Sequence, residues 1–189
     1  TFNPGSGSSN RINCIAIQPD DKIIIGGFFQ TYDGQASRNF ARLNSDGSLD
    51  TSFEIGTGSN SEVNNIFLLP NGDLYISSIF NYNGQTINGK IARINNDGSL
   101  DTSFDGVNIS SISSTNSIQL LDNGQLLIGG FYAEQGSLLK VNSDGTLDNT
   151  FNPVDIKNTL TTEDSGTLND IEIQADGKII IGGDFVRVD

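Results

Sequence analysis

The sequence has no histidine, no methionine and no tryptophan, and it has one cysteine. Without histidine there can be no Ser-His-Asp or Cys-His catalytic arrangement and no His-ligated zinc. One cysteine rules out an intrachain disulfide framework, and the position of Cys14 in an alternating run marks it as a small packing residue. Basic residues are few: 10 Lys and Arg stand against 23 Asp and Glu, for a net charge of -13. Such a surface repels phosphate backbones and anionic headgroups, so no nucleic-acid partner is expected. No apolar run is long enough for a spanning helix, and no membrane insertion is expected. At 189 residues and 35% hydrophobic, the chain is nevertheless of ordinary globular composition and able to bury a core.

The chain is built on repetition. Lys22-Ile-Ile-Ile-Gly-Gly-Phe-Phe29 returns as Asp73-Leu-Tyr-Ile-Ser-Ser-Ile-Phe80, Gln125-Leu-Leu-Ile-Gly-Gly-Phe-Tyr132 and Lys178-Ile-Ile-Ile-Gly-Gly-Asp-Phe185. Counted from Gly26, the copies follow at Ser77, Gly129 and Gly182, at spacings of 51, 52 and 53 residues. Before each copy lies a run of period two: Ile12-Asn-Cys-Ile-Ala-Ile17, Val63-Asn-Asn-Ile-Phe-Leu68, Thr115-Asn-Ser-Ile-Gln-Leu120 and Leu168-Asn-Asp-Ile-Glu-Ile173. Period two is a strand with two unlike faces. The face carrying Asn, Ile and then Ile or Leu is uniform in all copies and is expected to be the core side. Asn-Gly or Asp-Gly between the two runs signals a hairpin. The unbroken Ile and Leu run reads as a strand covered on both faces, and its Gly-Gly as a close backbone approach or a bulge.

A third run follows at Asn39-Phe-Ala-Arg-Leu43, Lys90-Ile-Ala-Arg-Ile94 and Ser137-Leu-Leu-Lys-Val141. The turn after it is nearly invariant: Asn44-Ser-Asp-Gly-Ser-Leu-Asp50, Asn95-Asn-Asp-Gly-Ser-Leu-Asp101 and Asn142-Ser-Asp-Gly-Thr-Leu-Asp148. A short last strand ends at Phe53, Phe104 and Phe151. No stretch has helical periodicity. The expected fold is therefore all-β: a β-propeller of four-stranded blades about 51 residues long. Residues 1–189 form a partial propeller domain, with repeats at 3–53, 54–104 and 105–151 and an incomplete one at 152–189. Closed propellers take about four to eight blades, so these roughly 3.5 repeats are expected to belong to a larger ring of about seven, as an excerpt of a longer chain or completed by association.

Ile17-Gln-Pro-Asp-Asp-Lys-Ile-Ile-Ile-Gly-Gly27 and Ala41-Arg-Leu-Asn-Ser-Asp-Gly-Ser-Leu-Asp-Thr-Ser-Phe53 resemble the delta-60 repeat family of bacterial β-propellers. The resemblance runs the length of the chain. It departs at Ser77-Ser78, at the short loop Ala133-Glu-Gln-Gly136 and in the insert between Val154 and Gly166. The resemblance implies a secreted or cell-surface bacterial location and other domains or subunits of a surface protein as partners. It implies no catalytic residue, cofactor or common ligand.

Candidate metal ligands are Asn44, Asp46 and Asp50 and their copies Asn95, Asp97, Asp101, Asn142, Asp144 and Asp148. The Asn-x-Asp-Gly-x-x-Asp order resembles part of a calcium loop, but an EF-type loop would add an earlier acid and a terminal Glu. We prefer turn chemistry for these residues, with Asp50 capping the turn or pairing with Arg42, and keep calcium as the one candidate cofactor. Arg42, Arg93 and Lys140 are expected to pair with a turn Asp, and Phe53, Phe104 and Phe151 to be core pegs. Asn13, Asn64, Asn116 and Asn169 are expected to be buried and to satisfy backbone groups between blades, rather than to form a binding ring. Ligand-binding candidates are Tyr32, Asp33, Tyr82, Asn83 and Tyr132, in loops that differ between repeats and suit a sugar face. Glu163 and Asp164 are an acid pair in the insert. Together these features favour a non-catalytic module for adhesion, protein–protein interaction or surface assembly. The alternatives are a lectin-like propeller, calcium-dependent or not, and a carboxylate-based glycosidase or lyase.

Overall fold

The structure, a computed structural model, describes residues 1–77, 81–82, 84–86, 91–104, 112–132, 138–152, 156–157 and 166–188. They form two compact units, Thr1–Phe104 and Asp105–Asp189. Every regular element among the described residues is a strand.

The first unit holds β1 (Ile12–Ile17), β2 (Ile23–Gly27), β3 (Thr31–Tyr32), β4 (Gln35–Ala36), β5 (Phe40–Leu43), β6 (Asn65–Leu68), β7 (Leu74–Ser77), β8 (Asn81–Tyr82), β9 (Gln85–Thr86) and β10 (Ile91–Ile94). They pair as antiparallel sheets β1-β2-β5 and β6-β7-β10, with β3-β4 and β8-β9 as small hairpins. The second unit holds β11 (Ile112–Leu120), β12 (Leu126–Tyr132), β13 (Leu138–Val141), β14 (Ile156–Lys157), β15 (Thr167–Ile173), β16 (Ile179–Asp184) and β17 (Arg187–Val188). Its sheets are β11-β12-β13, β15-β16 and β14-β17. The expected meander of short strands forms a three-stranded sheet in each of the first three repeats, and the described part of the fourth pairs β15 with β16. Together with the repeats themselves, it makes the fold an all-β propeller architecture.

The fourth strand is shorter than the sequence suggested. It is reduced to single bridges, Leu43↔Leu49, Ile94↔Leu100 and Val141↔Leu147. Pairing stops there because the next Asp turns the chain. Asp50 accepts from Ser52 N (3.0 Å) and Ser52 Oγ (2.6 Å), while Phe53 N donates back to Asp50 O. The Phe that follows packs inward: Phe53 and Phe104 are buried, and Phe151 packs against the core of the second unit.

The first strand also differs from expectation. Different faces reach a core in different repeats: Cys14 and Ala16 in β1, but Ile66 and Leu68 in β6 and Ile171 in β15. In the first unit one core joins Ile24, Phe40 and Phe53 of the first repeat to Val63, Leu74 and Ile76 of the second. Cys14 and Ala16 pack on it from one side, and Ile66 and Leu68 from the other. In the second unit Leu127 and Leu138 of the third repeat meet Leu168 and Ile171 of the fourth in the same way. An uninterrupted Ile and Leu run in the middle strand follows from being sandwiched, and β7 is buried at all four positions.

The two glycines of Gly26-Gly27 have separate tasks. A Cβ on Gly26 would stand 2.6 Å from Val63 Cγ1 of the next repeat, and one on Gly129 would stand 2.8 Å from Ile171 Cδ1. A Cβ on Gly27 would run into the Arg11 carbonyl, and one on Gly183 into the Thr167 carbonyl. Those carbonyls come close because β1, β11 and β15 each bulge opposite the glycine pair.

The hairpins between first and second strands place Gly72, Gly124 and Gly177 at positive φ, whereas the first repeat puts Asp21 there at φ 65°. An L-residue in that region is strained, and Gly is not. Asp21→Gly is therefore expected to raise stability by about 0.5–1 kcal/mol in urea unfolding, despite the added freedom of the unfolded chain. Gly27→Ala is expected to lower it by about 2 kcal/mol or more, because backbone and not a side-chain tip blocks the new methyl.

Candidate functional site

The best candidate ligands lie on the Asn44–Asp50 turn and its copies, and the structure shows what holds each of them. Asp46 Oδ1 accepts from Ser48 N (2.9 Å) and Ser48 Oγ (2.7 Å), and Asn44 Nδ2 donates to Ser48 Oγ (2.9 Å). Asp97 with Ser99 and Asn95 repeats this, as does Asp144 with Thr146 and Asn142. Gly47, Gly98 and Gly145 complete the turns at φ near +90° (89°, 95° and 92°). The hydrogen bonds from residues 48, 99 and 146 hold the carboxyls of Asp46, Asp97 and Asp144 below their usual range.

The last acid of each turn points elsewhere. Asp50 is buried, and its Oδ2 accepts from Arg42 Nε at 2.7 Å and from Lys22 Nζ at 2.9 Å. Burial pushes this carboxyl up. Hydrogen bonds from Ser52, Lys22 and Arg42 outweigh burial and hold it well below the usual range. The guanidinium also lies 4.5 Å over the Phe53 ring, and Nη1 donates to Asn96 O of the next repeat at 2.6 Å. The pattern recurs as Arg93–Asp101 at 2.6 Å with Phe104, and more loosely as Lys140–Asp148 at 3.7 Å. Asn44 and Asp46 thus hold the turn, while Asp50 faces two cations. The structure does not bring the three together as one oxygen cage, and among the described residues no three His, Cys, Asp or Glu side chains gather to hold a metal ion.

The tyrosines require a correction. Tyr32 and Tyr82 are buried and not offered on a loop surface, at 2% and 0% exposure. Tyr32 Oη donates to Gly47 O at 2.9 Å and Tyr82 Oη to Gly98 O at 2.7 Å, so each ring pins a hairpin to the turn of its own blade. Burial pushes both phenols above their usual range. Asp33 is exposed, in left-handed backbone at φ 46°, and accepts from Ser6 N at 2.9 Å. Asn83, Glu163, Asp164 and the Tyr132 side chain lie outside the described residues.

Asn13 and Asn116 link neighbouring repeats as expected, but Asn13 is exposed and Asn116 only half-buried. Asn13 Nδ2 donates to Val63 O (3.4 Å) and Asn64 Oδ1 (3.1 Å), and Asn116 Nδ2 to Leu168 O (2.8 Å). Glu62 joins this group, 2.6 Å from Asn13 Nδ2 and 2.9 Å from Arg11. Because Glu62 occurs in one repeat only, its pattern gave no signal. Lys22 was legible in principle: Gln125 stands at its equivalent place and donates to Asp148 Oδ2 at 3.1 Å. Cys14 packs beside Gly26 and Val63, and burial pushes its thiol up to about 12. A cleft of about 230 Å³ opens beside Arg42, Asp50 and Phe53, where the buried Ser37 hydroxyl finds no partner among the described residues.

Since the folded state depresses the Asp50 pKa, its contribution is present above the unfolded value and is lost as pH falls toward the folded one. Asp50→Asn is expected to cost about 3 kcal/mol at pH 7, because it leaves Arg42 buried without its counter-charge. It should also flatten the loss of stability below about pH 4, measured by urea unfolding across pH.

Four segments, 18–53, 69–104, 121–151 and 174–189, match the model of a domain of unknown function, the DUF5122 beta-propeller. No curated protein matches the chain. Solved structures that resemble it include the extracellular domain of BT4673, a protein assigned to the one-component systems of B. thetaiotaomicron. The likeness has a TM-score of 0.52 at 17% identity and covers 93% of this chain and 21% of that one. Another is PorZ, a surface component of the type-IX secretion system of Porphyromonas gingivalis, with a TM-score of 0.52 at 17% identity over 92% of this chain and 24% of that one. The chain thus spans less than a quarter of either relative's length, and at this identity the likeness is one of fold. Matched in each of its four repeats, the chain belongs to the DUF5122 β-propeller family.

Proposed function

We propose that the chain is a non-catalytic propeller module of a longer bacterial protein at the cell surface, where it contacts other domains or subunits of an assembly. The observation that carries this is the use made of the chemistry-bearing side chains. Asp46, Asp97 and Asp144 build turns, and Asp50, Asp101 and Asp148 anchor a cation of their own repeat. Residues that recur at equivalent places serve the blade, and recognition is left to what differs between blades. The surface location is supported by the two structures of similar fold, an extracellular domain and a surface component of a secretion system.

An antibody raised against the chain is expected to label intact cells of the source bacterium, and the purified chain is expected to turn over no substrate on a glycan panel. Labelling only after permeabilisation would overturn the surface location, and turnover would overturn the non-catalytic role. Glycan binding that Asp33→Ala abolishes would replace protein contact with sugar recognition on the 31–36 hairpin.

A further inference from the structure

Gln18 is buried, at 4% exposure, and only half of its amide is used. Nε2 donates to Gly72 O at 3.2 Å and to Asn96 Oδ1 at 3.0 Å, and these two acceptors fix which way the amide points. Oε1 then accepts from no described residue. A buried amide oxygen left without a donor is costly, so one that is kept calls for a donor the chain does not supply. The hairpin itself does not need the amide. Leu69 and Leu121 stand at the equivalent place in the second and third repeats, and glutamine returns at Gln174.

Gln18 lines a cleft of about 220 Å³ between the hairpins of the first and second repeats. Its other walls are Pro19 and Asp20 of one hairpin, Pro70 and Asn71 of the next, and Asn96 of the following turn. Both repeats belong to the chain, so both walls are its own. Asp73 adjoins the cleft, accepting from Asn71 Nδ2 at 2.6 Å and Asn96 N at 2.9 Å. The described lining thus offers amide oxygens and a carboxylate, and no lysine or arginine. Arg42 reaches Asn96 O, but its charge is paired with Asp50. Such a lining repels an anion. It has no aromatic ring on which a sugar could stack, and Asp20 alone is too little charge for a calcium site.

A group that only donates and carries positive charge fits what remains. We propose that this cleft takes a lysine side chain from a basic segment of a partner protein. The ammonium, with three donors and no acceptor, lies between Gln18 Oε1 and the Asp20 carboxylate, and the methylene stem runs along Pro19 and Pro70. The net charge of -13 draws a basic partner toward the chain, and the unpartnered oxygen gives it one place to settle. The proposal rests on the contact role above and names the chemistry of the partner.

Fluorescence anisotropy on the full-length protein tests it, with a labelled peptide of alternating lysine and glycine as the probe. Saturable binding is expected, and acetylating the lysines should weaken it about tenfold. Gln18→Leu and Asp20→Asn should each weaken it about fivefold. Both changes follow the second repeat, which has Leu69 and Asn71 at these places, so circular dichroism and the unfolding midpoint should stay near those of the unaltered protein. Asp122→Asn removes the same charge from an exposed position on the hairpin of the third repeat and should change affinity by no more than about twofold. No binding at millimolar peptide overturns the site. So does binding indifferent to Gln18→Leu or to acetylation, or lost equally in Asp20→Asn and Asp122→Asn. Spermidine that displaces the peptide at a lower concentration than the peptide itself requires would make a free polyamine the occupant and overturn the docking role. None of these outcomes alters cell labelling or turnover on glycans, which test the surface role separately.

Discussion

A blade of this protein has two apolar faces, and no three-stranded sheet can bury both by itself. That constraint orders the rest of the structure. A middle strand covered on both faces, as β2 and β7 are, is a run of large apolar residues packed against a neighbouring blade. Each large aliphatic side chain so covered contributes about 1.5–3 kcal/mol, and stability accumulates at the junctions more than within the sheets. Glycine at the meeting point brings neighbouring backbones close enough for Val63 N to donate to Gly27 O at 3.0 Å.

Polar chemistry in each repeat is subordinate to this packing. The turn at the blade's edge fixes its own Asp with a hydroxyl. Its final Asp neutralises a buried guanidinium, which lies over the Phe that closes the blade. A buried charge is costly unless paired, and Arg42 has a carboxylate, a carbonyl and an aromatic face. The same arginine reaches Asn96 of the next blade, so an element that looks local also stitches two repeats together. In the third repeat Lys140 stands instead, and as a point charge with no planar fork it lies farther from Asp148.

Much of this was legible in the sequence because the signals were repeated. The hairpin turns, the Arg–Asp pairs, the Phe pegs and the glycine-imposed bulges all follow from local pattern. The direction of each face did not. Alternation shows that β1 has two unlike sides, but only the arrangement of blades shows that Ala16 packs on one neighbour while Ile66 and Leu68 approach the same core from the other. The tyrosines were misjudged for a related reason. Tyr-Asp-Gly suggests an exposed turn, yet an aromatic ring beside a tight hairpin can fold inward when a carbonyl such as that of Gly47 is within reach of its hydroxyl. Single-copy contacts such as Arg11–Glu62 left no trace in the pattern.

The anchoring of the 31–36 hairpin has a consequence for recognition. Its base is bridged to Ser8, Ser9 Oγ accepts from Gln30 N and Thr31 N, and Tyr32 ties it to the Gly47 carbonyl from beneath. The tip, Asp33-Gly34, therefore projects from a fixed base. Immobilising a loop on binding costs conformational entropy, and here most of that ordering is already done in the free protein. A hairpin of this kind can change its tip residues without disturbing the blade, and whatever meets the tip encounters a shape already set.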